Sequence, residues 1–293
     1  MDPAFVQEKI TGRPLVGGRP ESPELSQPDI QMTTQNQPEN QEGRGPLSGK
    51  IALVTGGSRG IGRAIAVKLA KAGSDVAIVY HNSHEEAETL CSAIQALGRR
   101  ARAIQSDVSD PELVGEIFED LRQHFGRLDL LVSNAATGVL RPALELSLKH
   151  WRRCLETNAL ALNLLAQHAV PLMGPGGRII ALSSLGASRA IPQYAFIGAS
   201  KAALESLARS LAQELGPRGI RVNVVSAGPV DTDALRYFPN REQLLAEFAR
   251  RAPAGPSLTA EAVADAVYLL CLPEAAMITG QTLVVDGGYC ISG

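Results

Sequence analysis

Tyr194 and Lys201 are the residues of this chain whose types and spacing most directly suggest chemistry. On an ideal helix of about 100° per residue, an offset of seven residues turns through about 700°, so both side chains would share one face. A phenol has an ordinary pKa of about 10 and is protonated at neutral pH, and a nearby ammonium would stabilise its anion. The pair is therefore a candidate general acid. The alternative is a core tyrosine with a satisfied hydroxyl.

A second chemical feature is the glycine-rich turn Thr55–Gly62, which follows an apolar run and opens a helix-length segment. Glycines permit a tight turn and let a pyrophosphate approach backbone N–H groups at the positive end of a helix. In this strand–turn–helix setting the turn predicts nucleotide binding. The candidate cofactor-binding residues are Gly56, Ser58, Arg59, Gly60, Ile61 and Gly62.

The end of the next apolar run indicates which nicotinamide cofactor would bind. Folds that prefer NAD place an Asp or Glu there to accept from the ribose 2′-hydroxyl, whereas this chain has His81 and Asn82, with no carboxylate before Glu85. Arg59 could clamp a 2′-phosphate, although it could also be merely solvated. We therefore predict NADPH.

Two further loops are candidates for the same crevice. Asp107 and Val108 follow the third apolar run and could meet the adenine, although Asp107 is as well suited to cap the next helix. Asn134 and Ala135 follow the fourth run and could line the cofactor with backbone.

Alternation of short β-branched runs with helix-length segments predicts a single α/β domain with a doubly wound, parallel, seven-stranded sheet, the Rossmann fold. Ligands of such sheets bind at the carboxyl ends of the strands. The predicted strands are 51–55, 76–80, 102–105, 128–133, 179–183, 221–226 and 282–285, and the predicted helices are 61–72, 84–97, 110–125, 150–173, 200–215, 240–251 and 259–271.

Composition narrows the functional class. The 293 residues are 45% apolar, and 28 basic against 30 acidic residues leave a formal charge of −2, so neither a nucleic-acid nor a membrane partner is indicated. The four cysteines have no metal-ligand spacing, which predicts no metal site and a reducing cytoplasm. Residues 1–47 have the composition of a disordered extension, whose first part could be an expression tag, and 48–293 form the predicted domain.

Over residues 49–288 the chain resembles the short-chain dehydrogenase/reductase family. The resemblance rests on the glycine turn, Asn134–Ala136, Asn158, Ser184, Lys201, Arg221–Asn223 and Gly280–Gly288. It implies that Lys201 holds the nicotinamide ribose and lowers the pKa of the tyrosine, that Asn158 anchors a proton-relay water, and that the protein is a homotetramer assembled through helices 150–173 and 194–215. The resemblance also extends the cofactor site to the loop after the sixth strand, at Gly228, Val230 and Thr232.

Departures from the family's common pattern point to one subgroup. The usual tyrosine position, four before Lys201, holds Ile197, and Ser226–Pro229 replaces the usual Pro-Gly. Both changes resemble enoyl-acyl-carrier-protein reductases, and Ser184, ten residues before Tyr194, resembles their NADPH-dependent type III group. The implied activity is reduction of the trans-2 double bond of enoyl thioesters, bound to acyl-carrier protein or coenzyme A, in fatty acid synthesis.

Physical chemistry agrees with that implication, because hydride delivered to the β-carbon pushes negative charge onto the thioester oxygen. Tyr194 would protonate or stabilise that oxygen, and Ser184 would add a weaker hydrogen bond unless it only caps backbone. Residues 232–256 are predicted to form a lid, or an ordinary packed helix. Three alternatives stay open: a 3-oxoacyl or other carbonyl reductase, an enoyl reductase of a secondary pathway, and a catalytically silent NADP-sensing protein.

Overall fold

A parallel sheet of seven strands forms the centre of the computed structural model, which describes residues 45–238 and 240–292. The strand order is β3-β2-β1-β4-β5-β6-β7, and every neighbouring pair is parallel. The doubly wound sheet predicted from the sequence is therefore confirmed. The strands are β1 (Ile51–Thr55), β2 (Asp75–Tyr80), β3 (Ala101–Gln105), β4 (Leu130–Ser133), β5 (Arg178–Ser184), β6 (Arg221–Ala227) and β7 (Thr282–Val285).

Helices cover both faces of the sheet. Because β1 and β4 are buried along their whole length, they appear in the sequence as continuous apolar runs without alternation. One apolar core packs α1, α2 and α8 against the sheet, and a second packs α3, α5 and α6. The helices are α1 (Gly60–Lys71), α2 (His84–Ala96), α3 (Pro111–Phe125), α4 (Leu148–Leu155), α5 (Ala161–Ala169), α6 (Ala195–Leu215), α7 (Arg241–Arg251) and α8 (Ala260–Cys271).

The winding reverses at β1, which lies between β2 and β4. At such a switch point the loops after the two central strands diverge and leave a crevice at the carboxyl edge of the sheet. The loops that follow β1, β2, β4, β5 and β6 all reach this edge.

Two predicted helices have different bounds in the structure. The segment 150–173 is not one helix: α4 is followed by a π-helical turn at Glu156–Leu160, then by α5 and a short 3-10 turn at Val170–Leu172 that contains Pro171. A π-turn adds one residue to the helical ladder, which periodicity does not reveal, and such turns often occur at functional sites. Helix α6 begins at Ala195, five residues before the predicted start.

The N-terminal boundary also differs. Most of the predicted disordered extension, residues 1–44, lies outside the described residues. Leu47, however, is only 2% exposed, and its N–H donates to the carbonyl of Ala72 at 2.9 Å. Leu47 therefore packs with the domain, although it lies one residue before the boundary predicted at residue 48. Among the described helices, none has both the length and the apolar character needed to cross a bilayer.

Candidate active site

A cavity of about 1130 Å³ opens at the carboxyl edge of the sheet. This exceeds the range of about 300–1,000 Å³ typical of small-molecule sites, so the space suits a cofactor together with a substrate. Except for Asn158, every residue predicted to be catalytic or to bind the cofactor lines it: Gly56, Ser58, Arg59, Gly60, Ile61, Gly62, His81, Asn82, Asp107, Val108, Asn134, Ala135, Ser184, Tyr194, Lys201, Gly228, Val230 and Thr232.

The glycine turn has the shape of a phosphate cradle. A Cβ atom at Gly62 would lie 2.1 Å from the carbonyl oxygen of Gly56, and one at Gly57 would lie 2.8 Å from the side chain of Ile78. Gly56 and Gly60 have φ angles of 63° and 54°, which favour glycine. The turn leads directly into α1, whose first turn carries no acidic residue, so its unpaired N–H groups are available to an anion.

The residues at the end of β2 fit a 2′-phosphate better than a free ribose hydroxyl. Arg59, His81 and Asn82 are exposed and line one part of the cavity, and the lining after β2 contributes no carboxylate. Arg59 makes no side-chain hydrogen bond or salt bridge within the described part of the chain. Its charge is therefore available to a ligand.

Asp107 lies in the cavity wall but does not cap the next helix, because Asp110 accepts from the N–H groups of Glu112 and Leu113 at the start of α3. The Asp107 carboxylate accepts instead from Ser109 at 2.6 Å and from Arg153 of α4 at 2.9 Å. Although burial opposes ionisation, these hydrogen bonds leave the pKa of Asp107 below its ordinary value. The capping alternative for Asp107 is thus wrong.

Asn134 ties the loop after β4 to the glycine turn. Its side-chain amide donates to the carbonyls of Thr55 at 2.9 Å and Gly56 at 3.1 Å. The N–H groups of Asn134 and Ala135 both donate to the hydroxyl of Thr55. These bonds fix the two loops that would flank a dinucleotide on either side of the switch point.

Tyr194 and Ser184 bring two hydroxyls together, with their oxygens 3.1 Å apart. Tyr194 is not part of α6 but caps its start, and Gln193 before it has a φ of 61°, the one positive φ outside glycine among the described residues. The Tyr194 ring packs on Gly186, where a Cβ atom would lie 2.5 Å from two ring carbons. The loop after β5 therefore positions the tyrosine, and helix periodicity does not.

The protonation states of Tyr194 and Lys201 follow from burial. Burial raises the pKa of Tyr194, and the hydrogen bond from Ser184 offsets only part of this, so the phenol holds its proton at neutral pH. Burial also lowers the pKa of Lys201 to about 8, and its ammonium donates to the carbonyl of Leu182 at 2.7 Å. The net shift of the Tyr194 pKa is upward, and the lowering by Lys201 that the family resemblance implies stays a prediction.

Asn158 lies on the π-turn and is 2% exposed. Its side chain accepts from the N–H of Thr137 at 2.8 Å and donates to the carbonyl of Thr137 and to the hydroxyl of Ser200, each at 2.9 Å. These contacts hold the cavity residue Thr137 and join the loop after β4 to α6. Nothing in the sequence indicates that Thr137 and Ser200 bond to Asn158, because both contacts depend on the π-turn that carries Asn158.

Ile197 fills the position four before Lys201 and packs against the loop after β4. A Cβ atom at Gly138 would lie 2.2 Å from Cγ1 of Ile197. The isoleucine and the glycine therefore fit each other closely, and no hydroxyl stands one helical turn before the lysine.

The far wall of the cavity combines the segment 232–256, which the sequence predicts as a lid, with side chains that sequence reasoning did not single out. Phe238 packs near the Tyr194 ring, with 6.0 Å between ring centroids. Helix α7 and the C-terminal segment also contribute polar side chains to this wall. An amphipathic pattern identifies the residues of a helix that face the core, so it did not identify those that face the cavity. The missed lining residues include Arg189, Ile191, Gln243, Glu247, Arg251 and Tyr289.

A doubly wound sheet with a phosphate cradle at its switch point, and a tyrosine and a lysine facing the same cavity, defines a dinucleotide-dependent oxidoreductase. A family profile described as "Enoyl-(Acyl carrier protein) reductase" matches residues 56–290. The chain belongs to the short-chain dehydrogenase/reductase family.

The relatives of this chain include two named reductases and one solved structure. The chain is 41% identical over 244 residues to 1-cyclohexenylcarbonyl-CoA reductase of Streptomyces collinus, a match that covers 83% of this chain and 87% of that protein. It is 36% identical to hydroxynaphthalene reductase arp2 of Aspergillus fumigatus, with 80% and 90% covered. A short-chain dehydrogenase from Burkholderia cenocepacia, solved in complex with NADP, is 41% identical with a TM-score of 0.78, over 84% of this chain and 99% of that one.

Proposed function

We propose that this protein uses NADPH to reduce the carbon–carbon double bond of 2-enoyl thioesters. The observation that carries the proposal is the placement of the hydroxyl groups. Tyr194 and Ser184 hold two hydroxyls 3.1 Å apart at the cavity, whereas Ile197, one helical turn before Lys201, has none. Tyr194 thus sits farther along the chain from the lysine than the family's common pattern places its tyrosine.

The difference in position matters because the two reductions need a proton donor at different atoms. A carbonyl reductase must protonate the oxygen on the carbon that receives hydride. In a 2-enoyl thioester that carbon is the β-carbon, and the charge develops on the thioester oxygen two carbons away. A tyrosine placed farther from the lysine than in the common family pattern suits protonation of the thioester oxygen in enoyl reduction.

The chain's own residues would then divide the work. NADPH, when bound, supplies the hydride. Tyr194, a phenol whose pKa burial raises further above neutrality, donates a hydrogen bond or its proton to the thioester oxygen, and Ser184 supports it. Lys201 would hold the ribose of the nicotinamide half, and Asn158 keeps the loop after β4 in place.

The cofactor assignment rests on the fit described above. The N–H groups of the glycine turn would take the pyrophosphate, Arg59 with His81 and Asn82 the 2′-phosphate, and Asp107 with Val108 the adenine. Gly228, Val230 and Thr232 would line the nicotinamide half. Relatives solved with NADP and NADPH support the choice.

Relatives' names support the substrate class. By its name, 1-cyclohexenylcarbonyl-CoA is a coenzyme A thioester whose double bond is conjugated with the carbonyl. We extend this chemistry to thioesters of coenzyme A or acyl-carrier protein, in fatty acid synthesis or a secondary pathway, with residues 232–256 closing over the acyl group. We also propose that the enzyme acts in the cytoplasm as a homotetramer.

A carbonyl reductase is the second candidate, because hydroxynaphthalene reductases are 35–37% identical to this chain. Oxidation of NADPH and of NADH should be followed with crotonyl, 2-octenoyl and 3-oxooctanoyl thioesters, and the products identified by mass spectrometry. We expect turnover of the enoyl thioesters with NADPH. Faster turnover of the 3-oxoacyl thioester would favour the carbonyl reductase, and tight NADPH binding without any turnover would favour a sensing protein.

A further inference from the structure

Helix α7 presents a polar face to the substrate part of the cavity. Asn240, at its start, and Gln243, Glu247 and Arg251 recur at helical spacing along this face, and Leu244 is its apolar member. Among the described residues the side chains of Asn240 and Gln243 make no hydrogen bond, so an unbranched hydrocarbon chain against them would displace their water without replacing it, which is unfavourable. The wall therefore suits a substrate with polar groups of its own.

The acidic groups at this wall are already neutralised. Glu247 accepts from the Arg251 guanidinium at 2.9 Å and from the Tyr289 hydroxyl at 3.2 Å. Asp233, another acid of the cavity lining, forms a salt bridge with Arg236 at 3.0 Å. Each of these two carboxylates therefore already has a cationic partner.

Arg189 supplies a further positive charge from the loop after β5. It is exposed, lines the cavity, and lies close enough for its charge to act on Tyr289 and Cys290. In residues 45–238 and 240–292 it forms no salt bridge. Asp286, in the same C-terminal segment, is 4% exposed and accepts from the N–H groups of Gly288 and Cys290.

An arginine that faces a partly enclosed cavity without an acidic partner is suited to bind carboxylate or phosphate oxygens. We propose that Arg189 binds an anionic group carried by the substrate thioester. The inference rests on the proposed function, because it specifies what the thioester carries beyond its reacting atoms.

Two parts of a thioester could supply the anion. One is a carboxylate at the far end of the acyl group, and the other is a phosphate on the carrier arm. Paired ligands separate them: glutaryl and pentanoyl thioesters differ in the distal carboxylate, whereas coenzyme A and N-acetylcysteamine thioesters differ in the phosphates.

The test is calorimetric binding of these four saturated thioesters to the full-length protein with NADP⁺, for the wild type, Arg189→Gln and Arg209→Gln. Arg209 is an exposed arginine of α6 that does not line the cavity, and it serves as the matched control. A charge-assisted hydrogen bond corresponds to a change in affinity of about tenfold or more. We expect the anionic member of one pair to bind the wild type and Arg209→Gln at least about tenfold more tightly than its partner, and Arg189→Gln to lose this preference.

Loss of the glutaryl preference would assign the site to an acyl carboxylate, and loss of the coenzyme A preference would assign it to a carrier phosphate. Both outcomes support the inference. If Arg189→Gln leaves both affinity ratios as they are in Arg209→Gln, Arg189 is not an anion site. Because the ligands are saturated, this result does not depend on turnover, and the proposed function is tested separately with the enoyl thioesters.

Discussion

Replacement of the buried Lys201 by methionine should stabilise the cofactor-free protein while it removes activity. Burial lowers the pKa of the lysine from 10.5 to about 8. Since a tenfold change in acidity corresponds to about 1.4 kcal/mol, holding the ammonium in this site costs the fold about 3 kcal/mol at pH 7. Methionine keeps most of the aliphatic part of the lysine side chain. It loses the hydrogen bond to the Leu182 carbonyl, and this loss cancels about 1 kcal/mol of the gain in stability. The expected net gain is about 2 kcal/mol.

The sign of the pH dependence provides a second check. Between pH 8 and 10.5 the unfolded chain retains a proton that the folded chain has lost, so the stability contributed by Lys201 rises with pH across this window. The advantage of Lys201→Met should therefore be largest below pH 8 and shrink by about 2 kcal/mol between pH 7 and pH 10.

Urea unfolding of wild type, Lys201→Met and the exposed control Lys149→Met, at one protein concentration and both pH values, measures these differences. Trp151, the single tryptophan of the chain, provides the fluorescence signal. A Lys201→Met protein less stable than the wild type at pH 7, with a difference that does not change at pH 10, would refute the reasoning.

Three other predictions concern the cavity. Tyr194→Phe should lower turnover by about 10² or more, the scale of general-acid catalysis, while NADPH affinity measured by fluorescence titration stays constant; full turnover would contradict the assigned role. Arg59→Ala should raise the Michaelis constant for NADPH and not that for NADH, and equal changes would argue against a 2′-phosphate contact. Gly186→Ala should lower turnover at least tenfold, because its Cβ would lie 2.5 Å from the Tyr194 ring, yet cost nothing further in a Tyr194→Phe background; the control Gly174→Ala, with open space around it, should be neutral.

The elements that position the site could be predicted because their sequence patterns are local. Buried parallel strands appear as apolar runs, and the glycine turn after β1 combines glycines that adopt positive φ with the start of a helix. The sheet and the edge of the sheet at which the cavity opens could therefore be predicted from the sequence. The seven-residue offset of Tyr194 and Lys201 likewise indicated that both side chains would reach one cavity.

The rest depends on packing between distant segments. The π-turn at Glu156–Leu160 has no periodic pattern of its own, and Asn158 meets Thr137 only because that turn is present. The prediction that Tyr194 and Lys201 lie on one helix gave the correct cavity but the wrong local structure, because Tyr194 lies before the first residue of α6. Arg189 was missed because its significance depends on which carboxylates are already paired, and these contacts join segments that are far apart in sequence.

The left-handed conformation of Gln193 has a consequence for how such a site can evolve. The lysine belongs to a long helix whose phase is fixed by the core, whereas the phenol belongs to a loop that joins the helix after one residue with positive φ. The phenol and the ammonium are thus held by two different structural elements. Substitutions in this loop can therefore change the position of the Tyr194 hydroxyl, the proposed proton donor, without a change in the core-facing residues of the helix or the sheet.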